Sequence, residues 1–90
     1  MTYTVVWTPS SQGDLATLWL SASDRNAVAA ASDYFDEQLR VDPYADSESR
    51  PLNKRVMFAK PLGIVYQVSD DDRLVTVLGV WRTDRRRPKS

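Results

Sequence analysis

The chain has 90 residues, of which 42% are apolar and 27% charged, and it contains no cysteine and no histidine. This leaves room for one small core and little internal cavity, and it excludes a disulfide framework, a thiolate metal site and the usual general base. The formal net charge is zero, yet residues 1–50 carry eight acidic and three basic side chains while residues 51–90 carry four acidic and nine basic. Such an imbalance can present one basic surface to a nucleic acid or an acidic partner.

The opening "YTVVW" is β-branched and aromatic, with Tyr3, Val5 and Trp7 on one side, and it reads as a strand closed by Thr8 and Pro9. Ser10 or Ser11 is positioned to cap a first helix on which Leu15, Leu18, Trp19 and Ala22 recur at helical spacing. Ser23 or Asp24 caps a second helix running to about Arg40, with Val28, Ala31, Phe35 and Leu39 on its apolar side. Asp33, Asp36, Glu37 and Arg40 fall on the solvent side, an acidic surface that could meet a basic partner. The segment "VDPYADSESRP", residues 41–51, holds two prolines and repeated turn formers and reads as a loop.

From Leu52 the period changes to two. Leu52, Lys54, Val56 and Phe58 share one side of a strand, and Arg55 and Met57 share the other. "KPLG" is a turn, with Gly63 as a turn or strand-entry glycine. "IVYQV" is a strand, "SDDD" a polar turn, and "LVTVLGVW" a strand apolar on both sides, hence interior to its sheet. The expected class is α+β: an N-terminal strand, a helical hairpin and a three-stranded antiparallel meander completing one small sheet, in the order β-α-α-β-β-β. Residues 1–82 form the domain, and residues 83–90 a basic tail.

No phosphate-cradling loop or metal-ligand spacing stands out, and no cofactor or metal is expected. Tyr66 reads as a structural aromatic whose hydroxyl is satisfied by a neighbour. The cations of the second half are the candidate site. Lys54, Arg55 and Lys60 lie on or near one strand, where they suit phosphate contact, although the same charges would protect an edge strand from pairing. Trp81 can stack on a base, or it can cover the end of the sheet. Arg82 ends the last strand, and Arg85 and Arg86 add electrostatic attraction from the tail. No segment is long and apolar enough for a membrane span, and the N-terminus lacks a secretory pattern, so a cytoplasmic protein without membrane contact is expected.

The opening "YTVVWTP", the helical hairpin, "GIVYQV" and the ending "LVTVLGVWR" together resemble the RelE/ParE toxin superfamily of bacterial type II toxin–antitoxin modules over about residues 3–82. The resemblance implies a helical hairpin packed on the sheet and a cognate antitoxin that wraps the toxin. RNA-cleaving members act on mRNA in the ribosome with basic residues of the sheet. Lys54 and Arg82 match two of those positions and would be the catalytic pair of a ribonuclease. In the superfamily's "YRxxYxV" pattern, however, the arginine corresponds to Gly63 and the preceding aromatic to Leu62, and no tyrosine or histidine follows Arg82. On that ground the sequence favours a toxin that binds a target such as DNA gyrase, or one with altered activity. A ribosome-dependent mRNA endoribonuclease is the alternative, and an inactive protein that retains antitoxin binding is the second alternative.

Overall fold

The structure is a computed structural model and describes residues 2–83. Its elements are β1 (Thr4–Trp7), α1 (Pro9–Ser21), α2 (Arg25–Val41), β2 (Ser47–Arg50), β3 (Lys54–Ala59), β4 (Leu62–Ser69) and β5 (Leu74–Arg82). The five strands form one mixed sheet in the order β1-β5-β4-β3-β2, with β1 parallel to β5 and every other pair antiparallel. The order β-α-α-β-β-β therefore holds, with one strand added between α2 and the meander. As its two apolar sides require, β5 is interior, flanked by β1 and β4.

The added strand lies inside the stretch read as a loop. "SESR" has no apolar residue to alternate, so nothing in its pattern announces a strand; its backbone pairs with β3 from Ser47 opposite Met57 to Arg50 opposite Lys54. Short, polar and charged, β2 is built as an edge strand is built. It joins β3 through the three residues 51–53, of which Leu52 and Asn53 both take positive φ, 64° and 61°, and the Lys54 amide donates to the Pro51 carbonyl. Leu52 accordingly sits in this turn, 78% exposed, and not on the face of the strand. Because β2 covers β3, Lys54 and Arg55 do not guard a free edge.

The helix boundaries follow local chemistry. Thr8, not a serine, caps α1: its hydroxyl accepts from the Ser11 amide, and Pro9 occupies the first turn, where its missing N–H is not needed. Ser11 is fully buried and donates to the Val77 carbonyl at 2.9 Å, tying α1 to β5. Asp24 precedes α2 but makes no side-chain cap, because its carboxylate is held elsewhere. All four residues of the expected α2 stripe, Val28, Ala31, Phe35 and Leu39, are buried. They pack on Met57, Leu62, Ile64, Tyr66, Val75, Val77 and Val80, with Leu15, Leu18 and Ala22 of α1 alongside. Both helices therefore lie on one face of the sheet. Trp19 departs from the expected stripe: it is 42% exposed, with the Arg25 guanidinium 4.9 Å above its ring.

The pairing registers assign every strand residue to a face. Tyr66 opposes Val77 while Val65 opposes Gly79, so Leu78 is an extra residue at a bulge and the alternation of β5 slips there by one. On the helix-covered face lie Arg55, Met57, Leu62, Ile64, Tyr66, Val77, Val80 and Arg82. On the other lie Lys54, Val56, Phe58, Gly63, Val65, Gln67 and Trp81. The second face carries no helix.

Candidate nucleic-acid interface

The meander divides the expected site residues between the two faces. Lys54 is half-buried on the helix-free face, opposite Gln67, next to Arg50 on β2, whose guanidinium is 3.0 Å from Glu48. Among the described residues neither Lys54 nor Lys60 is in an ion pair. Lys60 is exposed in the β3–β4 turn. Trp81 is 38% exposed on the same face as Lys54. Arg85 and Arg86 lie outside the described residues.

Arg55 and Arg82 point to the helix-covered face. The Arg55 guanidinium donates to the Ser47 hydroxyl at 2.9 Å and lies 5.1 Å from the Tyr44 ring, so it braces the 42–47 segment. Arg82 makes a two-pronged pair with Asp24, at 3.0 and 2.9 Å, with its side chain 17% exposed. This hydrogen-bonded guanidinium holds the Asp24 carboxyl below its usual range. Arg82 also sits on a cleft of about 350 Å³ with Asp14, Thr17, Leu18, Val80 and Trp81. Lys54 and Arg82 oppose Gln67 and Leu62, five positions apart on β4, which is roughly 16 Å of strand, and their side chains leave opposite faces. The structure therefore does not bring these two residues into one constellation.

Gly63 is a strand-entry glycine, the second residue of β4, and not a backbone exception. It lies within β4, and no glycine among the described residues has positive φ. What requires it is space. Phe58 on β3 and Trp81 on β5 are its two cross-strand partners. A Cβ at position 63 would come within 2.9 Å of the Trp81 ring and 3.0 Å of the Phe58 ring. The two rings meet edge to face above the glycine, with centroids 6.1 Å apart. A side chain as large as arginine has no room there unless both rings move. Phe58, which the charge-led reading left out, is thus part of this surface. A glycine at strand entry with an aromatic on each side of it in space is the available signal, and it becomes readable only with the register.

Two further features frame the site. Tyr66 is fully buried and its hydroxyl donates to the Pro43 carbonyl; burial pushes its pKa up. Asp70 is a knot in the turn before β5: it accepts from the hydroxyls of Tyr3 and Tyr44, each at 2.8 Å. These bonds hold its carboxyl below the usual range, and burial together with Asp70 pushes Tyr44 up to about 12. On the outer side of the hairpin, Leu15, Ala16, Trp19, Leu20, Val28 and Ala29 line an open apolar cleft of about 510 Å³.

No family model matches the chain, and no curated protein matches it significantly. Solved structures do. The chain is similar to the toxin–antitoxin complex RelBE2 from Mycobacterium tuberculosis, with a TM-score of 0.75 and 22% identity over 91% of this chain and 99% of that one. It is similar to a mutant of the E. coli toxin RelE in the free state, with a TM-score of 0.66 and 17% identity over 93% and 86% of the two chains. The archaeal RelE–RelB complex from Pyrococcus horikoshii matches with a TM-score of 0.63 and 14% identity over 96% and 100%. Across nearly its whole described length, the chain has the fold of the RelE toxins.

Proposed function

We propose that this chain is the toxin of a type II toxin–antitoxin pair and that it cleaves mRNA on the ribosome, as the RelE-type reading holds. The observation that carries the proposal is a RelE-type sheet with one face left free of helices, on which Lys54 stands without an ion-pair partner among the described residues. The reaction joins a ribose 2′-hydroxyl to the adjacent phosphate and expels the next ribose oxygen. It needs a group to take the hydroxyl proton and positive charge for the phosphorane. With no histidine in the chain, Lys54 is assigned the contact with the reacting phosphate, and Lys60 attraction to the RNA backbone. Arg82, paired with Asp24 on the opposite face, is given no role in this constellation.

The partner on this reading is an antitoxin whose flexible segment folds on binding, and the apolar cleft of the helical hairpin offers such a segment a seat. RelBE2 and the archaeal complex are solved with their antitoxins, which supports a partner of that kind here.

A second reading, action on DNA gyrase without cleavage, is favoured by Gly63 and by the Arg82–Asp24 pair, which together leave the surface short of cations. Induced expression, alone and with any small open reading frame that adjoins its gene, separates the two. Growth arrest with transcripts cut on ribosomes, relieved by the neighbour, is the expected result. Arrest with intact transcripts and blocked supercoiling would replace it with the gyrase reading.

A further inference from the structure

We propose that Phe58 and Trp81, meeting across Gly63, form a stacking platform for an unpaired RNA base, a role that rests on the RNA-directed reading above. Three observations combine. The rings are 48% and 38% exposed on a face that carries no helix, so much of their surface is left without a protein partner. Their edge-to-face contact at 6.1 Å and the glycine beneath them fix their position, since the missing Cβ lets both rings settle onto β4. Cations flank the pair: Lys60 follows Phe58 by two residues in the turn, and Lys54 lies roughly 13 Å down the same face of β3. Of the nearby carboxylates, Glu48 of β2 is engaged by Arg50, and Asp14 shares the cleft beside Trp81.

Rings that are held in place, open to solvent and bordered by lysines match the way single strands are bound: bases stack on aromatic faces, and phosphates lie against point charges. Stacking tolerates any base, so the platform would hold a nucleotide without reading its identity.

The test uses the full chain and a short fluorescent single-stranded RNA made uncleavable by 2′-O-methyl groups, together with a series in which one base at a time is replaced by an abasic residue. Phe58→Leu and Trp81→Leu keep apolar cover and remove the rings. Each is expected to weaken binding by about 5- to 100-fold with unchanged circular dichroism. Abasic replacement at one position should weaken binding by the wild-type chain and have no further effect on the leucine variants. Should Trp81→Leu fail to fold, Phe58→Leu with the abasic series decides. Equal affinity for wild type and variants, or no abasic effect, overturns the platform. Failure to bind RNA while an acidic peptide quenches Trp81 also overturns it, in favour of a protein partner. Growth arrest is read separately: arrest with cut transcripts in the leucine variants as in wild type removes the platform and keeps the toxin, whereas stacking without arrest does the reverse.

Discussion

The two faces of the sheet use the same residue types for opposite ends. On the helix-covered face the polar groups are spent on structure: Tyr66 on a carbonyl, Arg55 on Ser47 and Tyr44, and Arg82 on Asp24. On the other face Lys54, Phe58 and Trp81 remain accessible to a ligand. A cation or an aromatic in this chain is therefore informative only once its face is known. One residue of register decides whether it stabilises the fold or meets a partner.

That contrast can be broken by substitution. Phe35→Ala removes a fully buried ring from the helix-covered face and should cost about 3–5 kcal/mol in urea unfolding, the largest effect expected. Tyr66→Phe leaves the buried Pro43 carbonyl with only the longer Ser47 hydroxyl contact at 3.4 Å and should cost about 1–3 kcal/mol. Gly63→Ala crowds two partly exposed rings that can yield, so about 1 kcal/mol is expected, accompanied by a red shift of the Trp81 emission as the ring is lifted into water. Lys54→Ala should change stability by about 0.5 kcal/mol or less, because among the described residues it takes part in no ion pair and lies outside the buried core. On the proposed reading its effect is on RNA cleavage.

The smallest effect is that of acid. Asp24 and Asp70 both have lowered carboxyl pKa values, the first through the Arg82 hydrogen bonds and the second through Tyr3 and then Tyr44. Their contribution is fully present above the ordinary carboxylate range near pH 4 and is lost as pH falls through their lower folded values. Thermal melts should therefore show a modest decline only below about pH 4. Asp70→Asn should flatten part of that decline.

Much of the fold was legible because its signals are apolar. The α2 stripe needed only helical spacing, and the interior place of β5 needed only that both of its sides be apolar. β2 was not legible: a polar edge strand is held by its backbone, and a composition of "SESR" is shared by loops. The site was less legible than the fold. The resemblance pairs Lys54 with Arg82, but a pleated strand sends neighbours to opposite faces, and the bulge at Leu78 shifts the second half of β5 by one residue. Gly63 reads as a lost charge in one dimension. In three it is the space two rings occupy.

Contact between the helix-free face and RNA, as proposed, is tested most directly by mapping transcript ends after induction of the wild-type chain and of Lys54→Ala at matched expression. Ribosome-associated cuts with the wild type, reduced about 100-fold in the folded variant, are the predicted result. Cuts undiminished in Lys54→Ala, or none with the wild type while growth still stops, would contradict it.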